Sequence, residues 1–476
     1  MIKFSIKTII FSTIVFLLVL CSGKLFLNKS NVQSFRSEQY KMLKGDFDIG
    51  FFGSSHVFCS YDPRVFENEL QLSAYNYGVA AQNLHTTLAI AKQEIKKRNL
   101  KLGIVDIFWE TLREPPFSNR ISSFQLQSID YMDFSFEKIQ LFNKIFGRDS
   151  LLNIFPTLRD HALWKDRVFQ SNYYLKTDID YYKGFKPPLY FNNNVWKNLV
   201  NDKKIENKSN EIDSKYQLSL GEKQIIDDII ETFKKANVPL LFVSAPTHKK
   251  YINNKDFNYQ DLIKVYLKQK GANFLDLNDY WDSLSLHLFD FKDDTHLNTN
   301  GALKVSQHLA TYIKKNYNIS TNSSIDLSKN RYALLENPKK NGAVLYKKIE
   351  NPKINKQTGV EKLILYKDLY GRLEILLAGD SLKDISIEVA YDVATNKKRQ
   401  LGKDIQRKIK KDRFSVKEKL ENLKNEGLYS GYNYKGSEFK VVIVDCPFSE
   451  VRNLSIAIGD KAPKEIVVSK KYLKLK

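Results

Sequence analysis

Apolar and polar positions alternate along the chain with two periods, and the order of those periods predicts the architecture. Lys3 and Lys7 precede an uncharged, apolar stretch over residues 8–23 that ends at Lys24. A basic lead followed by an apolar segment of near-spanning length predicts a membrane anchor or a secretory signal. The leading lysines place the N-terminus on the cytoplasmic side. The small residues Cys21 and Gly23 leave cleavage open, and the bulky Leu20 before Cys21 argues against a lipoprotein signal.

Residues 47–52 form a short apolar run that breaks at Gly53-Ser54-Ser55-His56, the pattern of a buried strand entering a tight loop. Residues 75–79 and 102–109 predict two more strands, with a helical pattern over 84–98 between them. The rhythm resumes with a helix over 222–235, a strand over 239–244, a helix over 259–270, a strand over 273–277 and a helix over 301–315. Strands alternating with helical patterns predict a parallel sheet covered by helices on both faces. The stretch from about 110 to 221 interrupts it. Its aromatic residues, among them Trp164, Tyr181, Tyr182 and Trp196, predict an ordered insertion, because so long a structureless loop inside a compact domain is uncommon.

Beyond residue 320 the pattern becomes β-rich, with short apolar runs at 343–348, 362–366, 373–377, 385–391, 441–444, 454–458 and 465–468. This predicts an all-β sandwich, with a charged surface helix interposed over 403–425. The expected organisation is an anchor or signal over 1–30, an α/β domain over 45–318 carrying the insertion 110–221, and a β-rich domain over 320–476. A chain of 476 residues exceeds what one core normally holds.

Composition narrows the functional classes. The formal net charge of +21 comes from lysines scattered along the chain, which fits a solvated surface or attraction to anionic polymers and head groups. No helix-turn-helix, zinc-finger or RNA-binding signature accompanies it, so nucleic acid is not an expected partner. Three cysteines, Cys21, Cys59 and Cys446, exclude a disulfide scaffold and leave Cys59 with Cys446 as the one bridge open to the exported part. The seven histidines show no metal-ligand spacing, so neither a metal nor another cofactor is expected.

In an open parallel sheet, functional groups collect beyond the carboxyl ends of the strands. Ser55 lies there, and a serine hydroxyl needs a base before it attacks. After the fifth strand the chain reads Asp293-Asp294-Thr295-His296-Leu297-Asn298, where His296 can take the serine proton and Asp293 can hold the imidazole tautomer. Each piece alone has a structural reading: Ser54 and Ser55 as turn formers, Asp293 to His296 as a helix cap. Strand placement and chain order agree on the chemical one. His56, His85, Trp109 and His248 fall near the same edge and are candidate substrate contacts. Asp160 and His161 are adjacent in sequence, so their side chains diverge on a helix.

Gly53-Ser54-Ser55-His56 resembles the first SGNH/GDSL block, Gly-x-Ser, and Asp293-x-x-His296 resembles the last, Asp-x-x-His. The resemblance covers residues 47–315 without the insertion. It implies a three-layer, flavodoxin-like parallel sheet with Ser55 as nucleophile, and an oxyanion hole using the N–H groups of Ser55 and Gly78. The family's asparagine block has no counterpart, since the third strand runs into Trp109-Glu110-Thr111. The departures and the apolar N-terminus are similar to an envelope branch that includes the D-alanine transfer protein of teichoic acid synthesis and the alginate O-acetylation proteins. That resemblance implies a serine esterase or O-acyltransferase acting on acyl esters of a cell-surface glycopolymer, beside a membrane-bound O-acyltransferase. A glycan-binding scaffold with a weak or inactive site is the alternative.

Overall fold

The computed structural model describes residues 2–28, 40, 45–112, 114–115, 117–168, 183–186, 217–248, 257–287, 290–320, 325–350, 352–367, 371–382, 387–393, 415–420, 432–447, 451–458 and 464–467. Five parallel strands, β1 (Ile49–Phe52), β2 (Ala74–Asn76), β3 (Leu102–Asp106), β4 (Leu240–Ser244) and β5 (Phe274–Asp276), form one sheet in the order β2-β1-β3-β4-β5. This is the flavodoxin-like order, in which the chain reverses direction across the sheet at β1 and β3.

Strand residues alternate between two cores, as a two-residue side-chain period requires. Ile49, Phe51, Ile104 and Val243 face a layer containing Phe66, Leu309 and Ile313. Phe52, Val105 and Phe242 face Leu88, Ile226, Ile229 and Phe233. The covering helices include Pro63–Leu70 and Thr299–Asn316 on one side, and Leu84–Lys97, Leu220–Lys235 and Phe257–Gln269 on the other. The helix Leu220–Lys235 begins with a capping box, in which Ser219 and Glu222 satisfy each other's free N–H groups. A Cβ on Gly103 would meet the Phe233 ring at 2.1 Å, so glycine sets how closely that helix approaches β3.

The third strand ends earlier than the apolar run suggests. Ile107 still donates to Val243 O at 2.8 Å, after which Trp109–Leu112 coils into a 3-10 turn. Within the expected insertion the described chain over 119–168 is mainly helical, with Asn119–Ile129, Phe136–Phe146, Arg148–Ile154, Pro156–Arg159, His161–Leu163 and Trp164–Val168, and residues 183–186 form a turn beside β2, where Asn76 N donates to Lys183 O at 2.9 Å. Tyr181, Tyr182 and Trp196 lie outside the described residues.

The C-terminal region contains two antiparallel sheets. One joins β6 (Leu345–Lys348), β7 (Lys362–Lys367), β8 (Arg372–Gly379), β11 (Tyr432–Tyr434) and β12 (Ser437–Pro447) in the order β11-β12-β8-β7-β6. The other joins β9 (Ile387–Val393), β10 (Ser415–Leu420), β13 (Val451–Ile458) and β14 (Lys464–Val467) in the order β10-β9-β13-β14. The expectation of a helix over 403–425 is corrected here, because residues 415–420 pair residue for residue with β9 from Ser415↔Asp392 to Leu420↔Ile387. The available sheet edge outweighs the helix propensity of a lysine- and glutamate-rich segment. Cys59 is buried, with its thiol directed at Lys186 O at 3.7 Å, and the side chain of Cys446, its candidate bridge partner, lies outside the described residues.

The parallel-sheet body and the β-rich region share buried contacts. Val65 and Leu303 pack with Tyr332, Ile364, Leu376 and Phe439. Tyr332 donates to Asp62 at 2.6 Å, and Asn330 Nδ2 donates to Arg64 O at 2.7 Å. Asp62 is also paired with Arg64 in a buried ion pair, so the carboxylate is compensated on both sides.

Candidate active site

The site is assembled from two loops at the carboxyl edge of the parallel sheet. β1 ends in Gly53, whose φ of +149° suits only glycine. A Cβ there would stand 2.6 Å from Val57 and 3.2 Å from Asp106 O. Ser54 then caps the helix Ser55–Ser60: its side chain accepts from His56 N at 3.4 Å, and its carbonyl accepts from Val57 N at 3.1 Å. Ser55 is the first helical residue, half-buried at the edge of the sheet.

The second loop joins β5 to the helix Thr299–Asn316 and is held at several points. Phe291 pairs with Leu297, Lys292 N donates to His296 O at 2.9 Å, and Asn298 N donates to Asp290 O at 2.9 Å. His248 N donates to Asp294 O at 2.8 Å, tying the loop to the end of β4. The result brings together the three residues named from the sequence. His296 Nε2 lies 2.7 Å from Ser55 Oγ, and His296 Nδ1 lies 2.8 Å from Asp293 Oδ1. The same carboxylate oxygen accepts from the backbone N–H of His296 at 2.8 Å and of Thr295 at 3.1 Å.

Burial alone would raise the Asp293 carboxyl. The hydrogen bond and charge of His296, with the two backbone N–H donors, outweigh it and hold the group at about 2. Asp293 is therefore ionised at neutral pH and fixes the His296 tautomer with Nε2 free to accept the serine proton.

The other named residues fall into different surroundings. His56 is buried, stacked on Phe108 with ring centroids 4.0 Å apart, and 5.1 Å from the His296 ring. Burial holds it well below the usual histidine range, with the charge of His296 adding to the effect, so a neutral imidazole walls the site. His248 contacts Trp281 and Phe291 edge-on. Trp109 is buried in the apolar layer behind the sheet, against Phe108. The electrostatic neighbours of His85 are Lys144, Glu114 and Asp228, not the Ser55 loop, and burial lowers it to about 4. Gly78 closes tightly on Ser54: a Cβ there would meet Ser54 O at 2.7 Å. Its N–H donates to Asn76 Oδ1 at 3.0 Å.

Two residues unmarked in the sequence reading support the site. Asn76 Nδ2 donates to Val57 O at 2.9 Å and to Tyr61 O at 3.0 Å, clamping the carbonyl end of the Ser55–Ser60 helix. Asp106, at the end of β3, accepts from Tyr61 Oη at 3.0 Å and from Ala245 N at 2.9 Å. Burial pushes Asp106 up to about 7 despite those two donors. Each is an ordinary polar residue at a strand end, and only its distant partners reveal the role. Among the described residues, no cluster of three or more His, Cys, Asp or Glu side chains could hold a metal ion.

The five-stranded parallel sheet thus carries, on its carboxyl edge, a hydrogen-bonded line from a hydroxyl through an imidazole to a carboxylate. A family model without a descriptive name matches residues 108–318. No curated protein matches the sequence. Among solved structures, the chain is similar to a Bacteroides fragilis protein described as an acylhydrolase. The identity is 12%, covering 60% of this chain and 96% of that one, with a TM-score of 0.30. It is also similar to a two-domain esterase active on acetylated mannans, at 10% identity over 93% of this chain and 95% of that one, with a TM-score of 0.25.

Proposed function

We propose that this chain is a membrane-anchored serine esterase or O-acyltransferase acting on acyl esters of a cell-surface glycopolymer, with Ser55, His296 and Asp293 as its catalytic residues. The observation that carries the reading is the unbroken line of contacts from Ser55 Oγ through His296 to Asp293, at 2.7 and 2.8 Å. The N-terminal helix, apolar over Lys3–Phe26, is long enough to cross a membrane and supports anchorage.

Ser55 Oγ attacks the ester carbonyl while His296 Nε2 takes its proton, and Asp293 offsets the imidazolium that forms. As the first residue of its helix, Ser55 has no intrahelical acceptor for its N–H, which is available to the developing oxyanion. Gly78 N–H joins it only by sharing or leaving Asn76 Oδ1. His296 then returns the proton to the departing alcohol, leaving an acyl-serine. Water or a sugar hydroxyl, deprotonated by His296, accepts the acyl group and frees Ser55. Transfer to a sugar hydroxyl would place the chain beside a membrane-bound O-acyltransferase.

The engaged Gly78 N–H and the missing asparagine favour a second reading, a glycan-binding scaffold with a slow site. Fluorophosphonate labelling and acetyl-ester turnover, each compared between wild type and Ser55→Ala, separate the two. The enzyme reading expects Ser55→Ala to lose labelling and about a thousandfold or more of turnover. Equal background rates in both proteins would establish the scaffold instead.

A further inference from the structure

We infer that the helical insertion over residues 131–168 is itself a membrane-docking element, seated in the outer leaflet beside the N-terminal helix. The inference rests on the reading of that helix as a membrane span. The N-terminal helix does not stand apart from the body; it packs on the helices Pro156–Arg159 and Trp164–Val168. Thr157 Oγ1 donates to Val19 O at 2.9 Å and lies 3.0 Å from Ser22 Oγ. Gly23 would meet Pro156 with an added Cβ at 3.7 Å, and Tyr131 Oη donates to Asn28 O at 3.3 Å.

These contacts set a depth. The Phe16 ring meets Phe134 and Phe155 edge-on, each with centroids 6.0 Å apart. Phe16 precedes the flanking Lys24 by 24 − 16 = 8 residues, about 12 Å along a helix axis. With Lys24 at the head groups, Phe134 and Phe155 lie below them, at the level of the acyl chains.

The surface around that contact is apolar where a water-facing surface would not be. Outside the N-terminal helix, every exposed large hydrophobic side chain among the described residues except Leu220 and Val265 falls in this insertion: Phe134, Phe136, Leu152, Leu158, Leu163 and Trp164. Phe136 and Leu152 are each 69% exposed. Exposed large apolar side chains gathered in one segment mark a candidate binding face. Of its charges, Arg159 is paired with Asp130 at 2.7 Å and Asp160 at 3.0 Å, and Lys165 lies over the Trp164 ring at 5.6 Å, while Asp133, Arg148, Asp149 and Asp166 are exposed. Tryptophan beside a snorkelling lysine is the arrangement of a membrane interface. The helix Phe136–Phe146 packs in turn on Leu84–Lys97, one of the layers of the catalytic sheet. Docking therefore holds the Ser55 edge in a fixed relation to the bilayer.

The test uses the full chain in nanodiscs of phosphatidylcholine and phosphatidylglycerol, with Cys21→Ser and Cys446→Ser removing two thiols and Cys59 left buried. Nitroxide labels are placed singly at Phe11→Cys in the span, at Phe136→Cys and Leu152→Cys in the insertion, and at Val265→Cys as a water-facing control. Collision rates with oxygen and with a water-soluble nickel chelate are compared. Oxygen-favoured ratios at positions 11, 136 and 152, against a chelate-favoured ratio at 265, are expected. Ratios at 136 and 152 equal to that at 265, with position 11 still oxygen-favoured, overturn docking and leave the span standing. A chelate-favoured ratio at position 11 overturns the span and the inference with it.

Discussion

A hydroxyl 2.7 Å from an imidazole nitrogen is reactive only while the ring presents the correct tautomer, and Asp293 enforces that. Asp293→Asn replaces an ionised acceptor by an amide that can donate to Nδ1 and favour the wrong tautomer. Turnover of an acetyl ester is expected to fall about 10³- to 10⁴-fold in this variant with the fold intact by circular dichroism. Because its carboxyl is depressed to about 2, Asp293 contributes stability that is present above the unfolded value of 3.8 and lost as pH falls toward 2. The acid limb of the stability curve should therefore be flatter in the variant over that window. Asp106 has the opposite sign. Its carboxyl is raised to about 7, so its contribution is present below 3.8 and lost as pH rises through 7. Asp106→Asn should gain stability relative to wild type as pH rises from 4 to 8 in urea titrations; a constant difference would refute the assignment. Ser55, Asp293 and His296 were legible because short motifs mark them. Asp106 was not, because the Tyr61 hydroxyl and Ala245 N–H it accepts from come from other parts of the chain.

At the level of elements, the Ser55–Ser60 helix is too short to hold itself, since six residues barely complete its hydrogen bonding. Asn76 supplies the missing restraint from β2 by satisfying Val57 O and Tyr61 O. Asn76→Ala leaves those buried carbonyls short of a donor, at roughly 1–3 kcal/mol each where no water enters. We expect a lower urea midpoint and, on the proposed function, a fall in kcat larger than the change in KM, because the Ser55 hydroxyl loses its alignment with His296. An unchanged kcat would show that Asn76 serves stability alone. The parallel-sheet elements were readable from periodicity, since each buries an apolar face whose spacing survives in the sequence. Residues 415–420 misled for the complementary reason. Their lysines and glutamate favour a solvated helix locally, while the edge of β9 offers six consecutive backbone partners that no local pattern announces.

Across the whole molecule, the parallel-sheet body and the β-rich region meet through buried polar groups as well as apolar ones. Tyr332→Phe removes the donor to Asp62 and should cost about 1–3 kcal/mol, because that carboxylate is fully buried. Far-UV circular dichroism and tryptophan fluorescence should still trace one coincident urea transition if the shared core couples the regions, whereas separated transitions would show that they unfold independently. The sequence by itself determined the apolar N-terminal segment, the alternation that builds the parallel sheet, and the two loops carrying the alcohol, imidazole and carboxylate, because each is written in neighbouring residues. Only the tertiary structure decided the length of the third strand, the pairing of residues 415–420, the commitment of Gly78 N–H to Asn76, and the seating of the insertion against the N-terminal helix. Those depend on which distant groups arrive within hydrogen-bonding or van der Waals reach, and spacing along a chain does not encode distance through space.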